Sequence, residues 1–178
     1  MQLNGDSKLW GPGGFCEDEY VWADCLEDVG NRCVILPLSV WLQAVDKLDK
    51  ETLGKTGVFA AAGEDVRPLL RFLAVIPVIA LDFPVFSDGR SYSTAVQLKQ
   101  IHHYLGELRA VGDVLIDQVS NMLRCGFDTL EVRHSLTQTR LAKYSREIFP
   151  GFYQPGASLI RARSHRIWYS VSARQSCS

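Results

Sequence analysis

The sequence predicts a single α/β domain built on parallel-sheet βα repeats. From Cys33 onward, short apolar and β-branched runs alternate with longer helical patterns, the mark of strands joined by right-handed helical crossovers. The units recur at about 20–30 residues, the span of a strand, a helix and their loops. With 178 residues, 47% of them hydrophobic, the chain can bury one sizeable core. Five units fall short of a complete eight-fold barrel, which leaves an open sheet or a partial, TIM-like barrel.

The expected strands are Cys33–Leu38, Gly57–Ala62, Val75–Phe83, Glu107–Gly112 and Thr129–Arg133. Ser39 is placed to cap a helix reaching Leu48, and Asp65 one reaching Leu73, with Pro68 tolerated in its first turn. Ser91 or Ser93 opens a helix to about Tyr104. Asp113 reads as the N-cap of Val114–Arg124, where Leu115, Val119 and Met122 share a face and Gly126 follows as the stop. Ser135 or Thr137 starts a last helix carrying Leu141, Tyr144 and Ile148 at helical spacing, ended by Pro150-Gly151. Residues 1–32 read as an irregular or β-rich lead-in, residues 33–155 as the α/β domain, and residues 156–178 as a basic tail without clear period.

The formal net charge is −1, so no global field favours nucleic acid or an anionic membrane. Charge is uneven, however: the lead-in is acidic (Asp6, Glu17, Asp18, Glu19, Asp24, Glu27, Asp28), and the tail carries Arg161, Arg163, Arg166 and Arg174. The most apolar run, Leu73 to Leu81, is too short to span a bilayer and contains Pro77. The N-terminus lacks a basic region followed by an apolar core, so a cytoplasmic location is the expectation. The five cysteines (Cys16, Cys25, Cys33, Cys125, Cys177) are odd in number and none is two residues from another, so neither a disulfide framework nor a metal or iron–sulfur site is expected.

Two constellations carry candidate chemistry. Central parallel strands are normally continuous Val, Ile and Leu, yet Glu107 and Arg109 point the same way from one strand, and Glu131 and Arg133 from the next. Such charges face solvent at an edge, pair across strands, or line a polar cavity. The second constellation is the loop after the third strand, where Asp88-Gly89-Arg90 turns into a helix start and Tyr92 follows. Backbone N–H groups there, with an arginine beside them, suit an anion. The Gly112-Asp113 turn repeats the arrangement. On a parallel sheet both turns share the C-terminal edge, where Arg90, Arg109 and Arg133 would meet one small anionic ligand.

In a catalytic version, Glu107, Glu131 or Asp113 would be general base and the arginines would clamp an anionic substrate. His134 also ends a strand, a plausible catalytic place. No P-loop, strand-following G-x-G-x-x-G or G-x-S-x-G elbow is present, and no cofactor is expected.

The blocks Phe83–Tyr92, Gly106–Gln118 and Arg124-Cys125-Gly126-Phe127-Asp128 resemble the bacterial domain-of-unknown-function 934 family. The resemblance covers about Val34 to Gln154. The chain departs from the family between Leu98 and Gly106, where Lys99, Ile101, His102 and His103 stand, and the tail matches nothing in it. Members are labelled oxidoreductases of sulfite reduction. The resemblance thus implies a place in sulfur assimilation, with sulfite reductase or another enzyme of that pathway as partner and a sulfur oxyanion as ligand. It implies no catalytic residues. The chain lacks the cysteine set of a sirohaem enzyme, which points to an accessory role. A small enzyme, or an interaction module without a ligand, is the alternative.

Overall fold

The computed structural model describes residues 7–25 and 32–144, so the basic tail, Ile148 and the Pro150-Gly151 stop lie outside the described residues. Eight strands form one curled, open sheet, a half-barrel, in the order β2-β1-β8-β7-β6-β5-β4-β3. They are β1 (Lys8–Gly11), β2 (Gly14–Cys16), β3 (Tyr20–Trp22), β4 (Cys33–Pro37), β5 (Thr56–Ala60), β6 (Val78–Phe83), β7 (Glu107–Gly112) and β8 (Thr129–Val132). Helices α1 (Leu38–Ala44), α2 (Lys50–Leu53), α3 (Arg90–Val96), α4 (Val119–Cys125) and α5 (Ser135–Tyr144) fall between or after the later strands, with a 3₁₀ turn at Arg67–Phe72.

The expectation of a wholly parallel sheet needs correction. Strands β3 to β8 are parallel and pair in chain order. The lead-in, however, adds a hairpin: only Pro12 and Gly13 separate β1 from β2, and so short a link forces antiparallel pairing. Strand β1 then joins β8, also antiparallel, with Leu9 opposite Glu131. The sheet is therefore mixed.

Chain connectivity dictates the curl. Strands β2 and β3 are the two rims of the sheet, yet only Glu17, Asp18 and Glu19 lie between them. A flat eight-strand sheet would hold its rims roughly 34 Å apart at the usual strand spacing. Four Cα steps from Cys16 to Tyr20 span at most about 15 Å. The sheet must bend until this strap reaches.

Strand alternation sorts side chains onto two faces. Leu108 and Ala110 of β7, Ile79, Leu81 and Phe83 of β6, and Val34 and Leu36 of β4 join Trp41, Leu69, Leu98 and Met122 in the main core beneath the helices. Ile35, Val78, Ala80 and Val111 make a smaller cluster on the concave face, with Tyr20, Trp22 and Phe59 against it. Glu107 and Arg109 share the parity of Val111 and so belong to that inner face.

Several helix starts differ from the expected ones. Helix α1 begins at Leu38 behind Pro37, with no side-chain cap. Asp65 accepts from the Arg67 backbone N–H (3.0 Å) and opens the 3₁₀ turn rather than an α-helix. Helix α3 begins at Arg90 and runs into a π-helical turn over Gln97–Ile101. Asp113 does not cap α4. Its own N–H donates to the Phe83 carbonyl (2.7 Å), and α4 starts six residues later behind Gln118. Gln118 takes over the anchoring: its Oε1 accepts from Leu115 N–H (3.1 Å) and its Nε2 donates to the Phe86 carbonyl (3.0 Å). Gly126 does end α4 in the left-handed conformation.

Gly112 closes β7 at φ +96°, where an added Cβ would collide with the Phe83 carbonyl oxygen. Gly112→Ala is expected to destabilise the fold by about 1–3 kcal/mol, read as a lower midpoint in urea. An unchanged midpoint would show that β6 and β7 are not held this closely in solution.

Candidate functional site

Arg109 is a guanidinium in the wall of the half-barrel, 1% exposed. A buried cation is tolerated only with close counter-charges, and the strap supplies one. Asp18 accepts from Tyr20 N–H (3.0 Å), which shapes the turn, and its Oδ2 accepts from Arg109 Nη1 (2.7 Å). Glu107, two residues back on β7, accepts from Arg109 Nε (2.9 Å). Thr129 Oγ1 donates to the same Glu107 oxygen. The Tyr20 ring lies 5.6 Å from the guanidinium carbon. Burial disfavours the Arg109 charge, but Glu107 and Asp18 outweigh it, and the side chain holds its proton more tightly than a free arginine.

These groups line a cavity of about 310 Å³. It lies between the strap (Glu17, Asp18, Glu19) and the N-terminal ends of β6, β7 and β8, where Pro77, Val78, Gly106, Glu107, Asp128 and Thr129 stand; Leu9, Cys16 and Tyr20 complete it. The Cys16 thiol is pushed up by burial and further by Glu107. The Tyr20 hydroxyl is raised chiefly by burial. Both stay protonated at neutral pH, so neither is an activated nucleophile. Burial also raises the Asp128 carboxyl, against the opposing Lys99 ammonium at 2.6 Å. Among the described residues no group of three or more His, Cys, Asp or Glu side chains is arranged to hold a metal ion.

The residues singled out in the sequence divide between the two ends of the sheet. Glu107 and Arg109 line the cavity at the N-terminal end. Asp88, Gly89, Arg90, Tyr92, Gly112, Asp113 and Arg133 belong to the C-terminal edge, with Glu131 just inside it. Arg109 is level with Thr129, so Arg133 stands four strand positions further on, roughly 13 Å at the usual rise. The three arginines therefore do not gather around one point.

Each arginine has its own carboxylate. Arg90 grips Asp88 through Nη2 (2.6 Å) and Nε (3.0 Å) at an exposed position, and this fork holds the Asp88 carboxyl down at about 2. Arg133 Nε is 3.6 Å from Glu131 Oε1, a contact too long for a hydrogen bond. Both Glu131 oxygens and the Arg133 Nε and Nη2 are enclosed without hydrogen-bond partners. Asp82, half-buried near Arg133, is pushed up by burial despite that guanidinium. His134 Nε2 stands 2.8 Å from Asp113 Oδ1 in an exposed pair. Tyr92 is partly buried against Phe83, ring centroids 4.9 Å apart. No described helix is long and apolar enough to cross a membrane.

A family model described as "Bacterial protein of unknown function (DUF934)" matches residues 57–162, more than half of the chain. The chain belongs to this family. No curated protein and no solved structure was found to match it. The DUF934 match takes in β5 to β8, and with them Glu107, Arg109, Asp128 and Thr129. The β1–β2 hairpin, the strap, β3 and β4 precede it. In this DUF934 member the cavity thus combines the matched segment with residues outside it.

Sequence reasoning missed Asp18, Tyr20, Cys16, Asp128 and Thr129 as parts of a site. A signal existed: an arginine on the inner face of a buried strand demands carboxylates, and the lead-in holds the run Glu17-Asp18-Glu19.

Two outcomes follow from this geometry. Asp18→Asn removes one of the two counter-charges of a buried guanidinium and is expected to cost about 1–3 kcal/mol. Glu19→Gln on the same strap is expected to cost under about 0.5 kcal/mol. Equal urea midpoints for the two variants would contradict the strap's attachment through Asp18. For Asp82 the sign runs the other way from a salt-bridged acid. Its carboxyl is raised in the folded state, so its ionisation opposes folding at neutral pH, and acidification relieves that penalty. Asp82→Asn is expected to raise Tm at pH 7.5, with the gain shrinking toward zero as pH falls to about 4, the carboxyl's unfolded range. A gain that grows on acidification would refute the assignment.

Proposed function

We propose that this protein is an accessory protein of sulfite assimilation that binds a small molecule, without turnover, in the cavity between the strap and the N-terminal ends of β6 to β8. The observation that carries the reading is Arg109: a nearly sealed guanidinium at a cavity wall, held in a fixed orientation by Asp18 and Glu107. Rigid polar groups on strands, set in a concave and partly apolar site, are what a small-ligand site needs. Binding without turnover is supported by the state of the cavity's reactive groups. The Cys16 thiol and Tyr20 hydroxyl are raised and stay protonated, and Glu107 is anchored through its Oε1, which accepts from both Arg109 and Thr129. The pathway rests on the resemblance to a family labelled for sulfite reduction, and sulfite reductase is the partner that this assignment proposes.

A second reading, a small enzyme working at the C-terminal edge, is favoured by one contact, the imidazole of His134 on the Asp113 carboxylate at 2.8 Å. Such a pair orients a general base. It stands at the opposite edge from the cavity.

The binding reading is tested by thermal shift with small sulfur compounds: sulfite, sulfate, adenylylated sulfate, sulfonates and sulfur amino acids. At a hundredfold excess over Kd a ligand adds about 2.7 kcal/mol, worth roughly 5–10 °C in a domain of this size. Cys16→Phe puts a bulky ring into the cavity from a partly exposed wall position and is expected to block the ligand and abolish the shift. No shift with any compound, or one that survives Cys16→Phe, sinks the reading.

A further inference from the structure

The charges around the cavity narrow the ligand class, an inference that rests on the cavity being the ligand site. Two features pull in opposite directions. Five carboxylates line the space (Glu17, Asp18, Glu19, Glu107, Asp128) against the single guanidinium of Arg109. Asp18 and Glu107 already neutralise that guanidinium, and Lys99 is spent on Asp128. The lining as a whole attracts a cation.

Arg109 nevertheless keeps an unused donor. Its Nε is taken by Glu107 and its Nη1 by Asp18, while Nη2 makes no hydrogen bond to the described residues. Nor is Nη2 among the enclosed unpaired atoms, in contrast to those of Glu131 and Arg133. It belongs to a side chain that lines the cavity, and it is the guanidinium nitrogen that neither Asp18 nor Glu107 engages. A buried N–H without a partner seeks an acceptor.

A bare anion would meet that donor but would sit among the carboxylates. A bare cation would suit the carboxylates and leave Nη2 unmatched. We infer that the cavity takes a zwitterion: an ammonium group held by the strap carboxylates and an oxyanion on Arg109 Nη2, joined by a short apolar body against Leu9, Pro77 and Val78. A volume of about 310 Å³ suits an amino-acid-sized molecule or an aminosulfonate.

The test is isothermal titration of the full chain with taurine and with L-methionine, each beside its two halves. For taurine these are ethylamine and ethanesulfonate; for L-methionine, 3-(methylthio)propylamine and 4-(methylthio)butanoate. At least one zwitterion is expected to bind about tenfold or more tightly than either of its halves, and Cys16→Phe to abolish that binding. Glu17→Gln combined with Glu19→Gln, at two exposed positions, is expected to cut the preference for the zwitterion over its anionic half by about fivefold. Its melting point without ligand checks that the fold is retained. A half that binds as tightly as its zwitterion, and is lost in Cys16→Phe, overturns the zwitterion while leaving the cavity as a ligand site. Binding by neither zwitterion nor any half overturns the zwitterion, and if the sulfur compounds also leave Tm unmoved, the site falls with it.

Discussion

The contact on which the architecture turns is the one between Asp18 and Arg109. It joins a three-residue strap, slung between the two rims of the sheet, to the middle of the opposite wall. Without a carboxylate from the strap, β7 would carry a sealed guanidinium with only Glu107 beside it. Without the guanidinium, three consecutive acids would hang over a concave face with nothing to hold them. Each half of the arrangement answers the electrostatic problem posed by the other. Chain connectivity curls the sheet, and this contact then fixes where the strap crosses it and so where the cavity lies.

This tie also explains why the two ends of the half-barrel differ. At the N-terminal end, the strap stands off the strands and leaves space behind Arg109. At the C-terminal edge the loops draw inward: Asp113 N–H reaches the Phe83 carbonyl, Gln118 bonds the Phe86 carbonyl, and Ser91 donates to the carbonyl of Asp82. There Arg90 is paired with Asp88, and Arg133 lies beside Glu131 at 3.6 Å without a hydrogen bond between them. The usual rule, that parallel α/β sheets use their C-terminal edge, takes for granted that the other edge is filled. Here an N-terminal hairpin and strap build a second mouth instead.

Much of the strand pattern was legible in the chain. Glu107–Gly112 reads identically in sequence and structure, and the other four expected strands differ by a few residues at their ends, because apolar β-branched runs between turn residues leave little choice. Glu107 and Arg109 stood out for the right reason, as charges on a strand that ought to be apolar. Helix starts were less legible: Ser39 and Asp113 look like caps, but cap chemistry is local, and Pro37 and the Phe83 carbonyl claimed those segments first. The lead-in was least legible. Its three strands, Lys8–Gly11, Gly14–Cys16 and Tyr20–Trp22, are only three or four residues long, and the hairpin's place in the sheet is set by β8, more than a hundred residues further on, which no window of sequence contains. The half of the cavity that those strands supply was hidden for the same reason.

The pairing of Leu9 with Glu131 has a kinetic side. A growing chain exposes the β1–β2 hairpin long before β8, the strand that will flank it, has been made, so the β1 edge waits unpaired while more than a hundred further residues are added. Contacts so distant in sequence form late and slow the final step of folding. In the interval the six later strands can add one beside another in order of emergence, so the β1–β2 hairpin is expected to dock on β8 after them.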